Sequence, residues 1–263
     1  MKWLIALLLF IGIFFRDCIH ERPSPPQTVY VVQQNVYSQQ RKETLFDDFD
    51  RKLNLDWNIM GVDPSHWSLD KVPGSLTITT EDGTFTRERT GYKNIFVIDF
   101  PGDGSEDFQV TTCVSHYNPH DLWNRAGLIL WNDKGNNFLF VYEYGEGPPP
   151  NNARKLLFTV AREIDDISLH GWYETEQVRQ KMWLRITKRD NSYILSHSKD
   201  GQSFMPMKVI QPARLARDTT VRCLNEPLKY VGIFADNGTA LGAAQVDASF
   251  DFFEFRILPE GRE

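Results

Sequence analysis

Apolar and polar residues alternate with period two in short runs along most of this chain. Leu45-Phe46-Asp47-Asp48-Phe49-Asp50 opens the series, and Ala248-Ser249-Phe250-Asp251-Phe252-Phe253-Glu254-Phe255 closes it. Successive side chains of a strand point to opposite faces, so each run predicts a half-buried strand with phenylalanines inward and carboxylates outward. Two such strands at opposite ends predict a chain that closes on itself, first strand beside last, in one all-β domain.

Between these ends, residues 75–80 alternate and stop at Asp82-Gly83, and residues 108–114 alternate with apolar side chains at even positions. Residues 126–131 are continuously apolar, the pattern of a strand buried on both faces. They turn through Asn132-Asp133-Lys134-Gly135-Asn136-Asn137 into residues 138–142, a hairpin with a longer loop. Residues 183–187 and 193–197 form a second hairpin around Arg189-Asp190-Asn191. Asp200-Gly201 is a tight turn, residues 231–234 are a further strand, and residues 145–152, with three prolines, are loop. No long stripe of period 3.6 occurs. Short strands at this spacing predict a β-sandwich.

Composition sharpens the picture. The 263 residues are 41% hydrophobic and 13% aromatic, enough for a sizeable core. The net charge of −6 argues against nucleic acid, which demands clustered basic residues. Met1-Lys2 followed by an apolar run from Trp3 to Phe15 reads as a secretory signal, with an uncleaved anchor and a lipoprotein at Cys18 as alternatives. The run is shorter than the roughly 20 residues of a membrane-spanning helix. Export makes the protein secreted or surface-tethered, touching a membrane only through this segment. Domain boundaries follow: leader or anchor 1–20, a flexible proline- and glutamine-rich linker 21–42, the sandwich 43–258 and a polar tail 259–263. If Cys18 leaves with the leader, Cys113 and Cys223 remain as a pair that forms either a disulfide or two buried thiols.

Five ordered stretches resemble one family. Phe46-Asp47-Asp48-Phe49-Asp50 with Leu55-Asp56-Trp57, Trp67-Ser68-Leu69 with Pro73-Gly74-Ser75-Leu76-Thr77-Ile78, Asp107-Phe108-Gln109-Val110-Thr111-Thr112, Ala126-Gly127-Leu128-Ile129-Leu130, and Phe250-Asp251-Phe252-Phe253 follow its motifs in order. The family is the concanavalin A-like sandwich found at the C-terminus of β-xylosidases and as a domain of unknown function. The resemblance implies a two-sheet jelly roll linked to carbohydrate. In β-xylosidases this domain accompanies a separate catalytic propeller, so the resemblance implies an accessory or binding fold and carries no glycosidase activity across.

Candidate chemistry falls into three groups. Asp47, Asp48, Asp50 and Asp251 meet if the end strands are neighbours, and calcium takes such oxygen ligands; the alternative is a solvated acidic face. Trp123, Asn124, Arg125, Trp131, Tyr142, Glu143 and Tyr144 lie on or beside the central hairpin, where aromatics stack on sugar rings and polar groups select hydroxyls. Glu143 and Glu146 are the alternative catalytic pair; glycosidase carboxylates stand about 5–5.5 Å apart for retention or 6.5–9.5 Å for inversion. The six histidines, His20, His66, His116, His120, His170 and His197, form no metalloprotease or zinc-finger pattern. Asn237-Gly238-Thr239 is a glycosylation sequon or a plain Asn-Gly turn. A carbohydrate-binding accessory domain is therefore the expectation, with a free-standing glycoside hydrolase or lyase and a structural or protein-interaction sandwich as alternatives.

Overall fold

The computed structural model describes residues 44–83, 91–133, 136–145, 153–160, 169–174, 181–211, 226–238 and 242–259. The expected leader and linker, Glu146 and Cys223 lie outside the described residues. The described chain forms fifteen strands: β1 Thr44–Asp47, β2 Asn58–Met60, β3 Trp67–Ser68, β4 Leu76–Thr79, β5 Ile95–Asp99, β6 Phe108–Ser115, β7 Asn124–Asp133, β8 Asn136–Gly145, β9 Ala153–Val160, β10 Leu169–Glu174, β11 Lys181–Arg189, β12 Ser192–Ser198, β13 Met205–Ile210, β14 Tyr230–Asp236 and β15 Asp247–Ile257. Among the described residues there is no α-helix, only a 3-10 turn at Pro64–His66. An eight-stranded sheet runs β13-β12-β11-β6-β15-β4-β3, with β1 also on β15, and a seven-stranded sheet runs β10-β9-β8-β7-β14-β5-β2. All pairings are antiparallel.

The two sheets enclose one main core. Phe108, Leu184, Phe250, Phe253 and Phe255 come from the eight-stranded sheet, and Phe96, Leu128, Phe138, Phe140 and Tyr142 from the other. Each such side chain contributes about 1.5–3 kcal/mol on leaving water. The central hairpin β7–β8 is buried on both faces, as its continuous apolar run predicts. Its even-numbered residues fill the main core, while Ile129, Trp131, Leu139 and Val141 form a second cluster with Ile95, Val97 and Phe234. Gly232 permits close backbone approach inside this sheet, since a Cβ there would meet the Phe96 carbonyl at 1.9 Å.

First and last strands are neighbours: β1 pairs with β15. Their inward faces differ from the alternation read along the sequence. Phe46 is 49% exposed, and Asp47 is fully buried. A bulge between Phe250 and Phe253 sets three residue steps on β15 against the two from Val114 to Thr112 on β6. The extra residue reverses the alternation, so Phe250, Phe253 and Phe255 all point inward and Phe252 does not. Residues directly opposite share a face, so Asp47 faces inward with Phe253, and Phe46 faces outward with Glu254. The outward Phe46 stacks on Phe252, with ring centroids 6.0 Å apart.

Candidate functional site

The hairpin end carrying Trp123 is tied down by Asn124. Its amide oxygen accepts the backbone N–H groups of His120 and Asp121 at 3.2 and 2.9 Å. Its amide nitrogen donates to Asn237 Oδ1 and to the Ala244 carbonyl at 2.8 and 2.9 Å. Asn124 thus joins three chain segments and is wholly buried; it is a brace, not a ligand contact. Asn237 is equally buried and also donates to the Ala243 carbonyl, so this sequon asparagine is part of the fold.

Trp123 precedes this brace with φ of 63°. A bulky side chain in the left-handed region is strained, and such strain persists only where the surroundings hold it. Here the Trp123 N–H donates to the Tyr144 carbonyl at 2.7 Å. Its side chain packs closely on Gly238, where an added Cβ would stand 3.1 Å from Trp123 Cβ. Trp123 and Tyr144 are both partly exposed.

Behind them lies a row of charge. Arg125 is directly opposite Asp236 on β14 and Glu143 on β8, so the three share one face of the seven-stranded sheet. Arg125 binds Asp236 through Nε at 2.5 Å and Nη2 at 3.0 Å, a bidentate pair. The Gly238 N–H donates to the same carboxylate at 3.1 Å. Burial pushes the Asp236 carboxyl above its ordinary value, against the opposing pull of Arg125 and Gly238. The guanidinium also lies 5.8 Å from the Phe234 ring centre. Burial, with the Glu143 and Asp236 carboxylates adding to it, raises the nearby Tyr117 phenol well above its ordinary value. The Tyr117 hydroxyl is itself buried with no hydrogen-bond partner among the described residues.

Of the seven hairpin residues expected to form a sugar face, the structure gathers Trp123, Arg125, Glu143 and Tyr144 at one end. Trp131 and Tyr142 are not available for stacking. Trp131 is 3% exposed and packs on Tyr92, and Tyr142 is 1% exposed in the main core against Tyr117. Asp236 and Gly238 complete the group; nothing local in the sequence marks them, because they arrive through the β7–β14 register.

Two of the four carboxylates expected to bind calcium, Asp47 and Asp251, are engaged by groups of the chain itself. Asp47 accepts N–H groups from Phe49, Asn54, Leu55 and the Trp57 indole, so its oxygens are already saturated. Asp251 is held by Ser75, Ser115 and Lys181. Among the described residues, the one group of three or more ligand atoms within 4.8 Å of one another lies elsewhere. Cys113 is a free buried thiol on β6, and Cys223 lies outside the described residues.

Comparisons with known proteins agree with this fold. The GH43 protein BlXynB of Bacillus licheniformis superposes with a TM-score of 0.65 at 23% identity, covering 81% of this chain and 39% of that one. A GH43 protein from the xyloglucan locus of Bacteroides ovatus gives 0.62 at 21% identity, with the same coverage. The chain thus spans 39% of the length of these two proteins. The laminarinase catalytic domain of Thermotoga maritima gives 0.54 at 12% identity, covering 82% of this chain and 98% of that domain. No curated protein sequence matches. The model of the beta-xylosidase C-terminal concanavalin A-like domain matches residues 46–256, and the chain belongs to that family.

Proposed function

We propose that this domain binds a neutral polysaccharide at the end of the seven-stranded sheet where Trp123 and Tyr144 are partly exposed, and that it serves as an accessory module in an exported protein. One observation carries the reading: a partly exposed tryptophan is held in a strained left-handed conformation beside the bidentate Arg125–Asp236 pair. Stacking on the indole supplies affinity, and fixed polar groups choose among hydroxyl patterns. The family model is named for beta-xylosidases, and two of the structural relatives for xyloglucan and laminarin, polysaccharides of neutral sugars, which supports the ligand class. The apolar run behind Lys2 supports export.

A second reading, hydrolysis, draws on one feature: Glu143 and Asp236 flank Arg125 from opposite sides. Burial raises Asp236, as a general acid requires. Against it, Arg125 occupies both oxygens of Asp236.

The test is calorimetry of the full chain against xylan, xyloglucan and laminarin oligosaccharides, with reducing-sugar release measured in parallel. Binding without release is expected. Release that disappears in Glu143→Gln would establish the hydrolase instead, and no binding to any of the three would remove the proposal.

A further inference from the structure

A second constellation, on three chain segments, is joined to the hairpin end through the Glu81 carbonyl, which accepts the Asn237 N–H. Asp63 and His66 bracket the 3-10 turn, Glu81 follows β4, and Lys93 precedes β5. His66 Nδ1 stands 3.3 Å from Asp63 Oδ2 and 3.5 Å from Glu81 Oε1. Lys93 Nζ reaches the same two oxygens, at 3.3 and 2.7 Å. One nitrogen and two carboxylate oxygens therefore converge on a point that already attracts a cation.

The spacing has a specific meaning. Separations of 3.3 and 3.5 Å are long for an N–H···O hydrogen bond, whose usual length is about 2.9–3.0 Å. They match the edge of a tetrahedron around zinc, about 3.3 Å for bonds of about 2.0–2.1 Å. We propose that Asp63, His66 and Glu81 form a zinc-class divalent cation site, in which the Lys93 ammonium is a built-in competitor that the ion displaces.

The surroundings hold each ligand in place. Ser65 Oγ lies 2.6 Å from Asp63 Oδ1 and 2.9 Å from His66 Nδ1. The hydroxyl and backbone N–H of Ser65 both donate to Asp63 Oδ1, at 2.6 and 3.1 Å, leaving Oδ2 for the ion. Asn94 accepts the Asp63 N–H at 2.8 Å and donates to Glu81 Oε2 at 3.3 Å, leaving Oε1 for the ion. Gln245 lies 3.1 Å from His66 Nε2. The atom facing the ring is the amide nitrogen, so a metal-bound imidazole, whose Nε2 carries the proton, requires this amide turned over to present its oxygen. The imidazole favours zinc over calcium, which takes only oxygen ligands. The Lys93 side chain is 43% exposed and swings into solvent at little cost. An ion here staples the 3-10 turn to Glu81, whose carbonyl accepts the Asn237 N–H at 2.9 Å.

The test uses the full chain, stripped with chelator and titrated with zinc by calorimetry and with cobalt by visible absorption. One ion per chain is expected, with a cobalt spectrum free of thiolate bands. His66→Gln should weaken binding at least about tenfold, since losing even an outer partner costs 10–100-fold. Lys93→Met should tighten binding several-fold, and unfolding cannot produce that sign. No stoichiometric binding, wild-type affinity in His66→Gln, or weaker binding in Lys93→Met would each overturn the proposal.

Discussion

The carboxylate of Asp47 accepts the indole N–H of Trp57 at 2.8 Å, ten residues along the chain. It also accepts the backbone N–H groups of Phe49, Asn54 and Leu55 at 2.9, 2.7 and 3.2 Å. The Trp57 ring in turn lies edge-on to Phe253 with centroids 5.0 Å apart. One buried acid therefore shapes the whole turn leaving β1 and seats its tryptophan on the core. Asp47→Ala should lower unfolding free energy by about 3 kcal/mol or more, because hydrogen bonds to a charged group contribute about 1.5–3 kcal/mol each. Urea unfolding followed by tryptophan fluorescence measures it; a loss below about 1 kcal/mol would contradict this role.

The bulge in β15 makes a contrasting pair of predictions. Phe250 is wholly buried, so Phe250→Ala should cost about 3–5 kcal/mol. Phe46 is 49% exposed and mainly stacks on Phe252, so Phe46→Ala should cost no more than about 1.5 kcal/mol. Equal losses in the two variants would show that β1 is not in this register.

Much of the sheet structure was legible, from period-two alternation in β6 and β11–β12 and from apolar runs bounded by turn residues in β7–β8 and β14. Residues 108–114, both hairpins and residues 231–234 became β6, β7–β8, β11–β12 and β14. β5 was not legible: Ile95-Phe96-Val97-Ile98 is buried on both faces and shows no alternation. β13 was masked by its edge position, where Pro206 is tolerated beside a register shift at Leu195/Ser196. At the ends Phe49, Phe250, Phe253 and Phe255 face inward as expected, while Phe46 and Phe252 do not, and the bulge at Asp251-Phe252-Phe253 that turns Phe252 out has no residue-type signature. For the site, residue types on one hairpin were readable, but partners brought by register were not. Asp236 reaches Arg125 only through β14, and Glu81 reaches Asp63 and His66 only through the fold.

Acid should destabilise the protein in a defined window. Backbone N–H groups of Ser203 and Gln202, with the Ser198 hydroxyl, lower Asp200 from 3.8 to about 2. Burial pushes Asp251 up, but Lys181, Ser115 and Ser75 together hold it below its ordinary 3.8. Both folded-state values are depressed, so each contribution is present above 3.8 and is lost as pH falls below it. Thermal melting temperature should therefore drop between about pH 4 and pH 2, and less steeply in Lys181→Met. Lys181 is 49% exposed, so high salt should shrink the difference between the two proteins. A melting temperature independent of pH across this window would contradict these carboxylate contacts.

The central claim is that Trp123 is the stacking platform of a neutral-glycan site. Its most direct test is calorimetric titration of a xylan oligosaccharide into the full chain and into Trp123→Ala, with melting temperature recorded for both. Trp123→Ala should weaken binding at least about tenfold, equivalent to about 1.4 kcal/mol, while the fold is retained. An unchanged affinity in a folded Trp123→Ala would contradict the account.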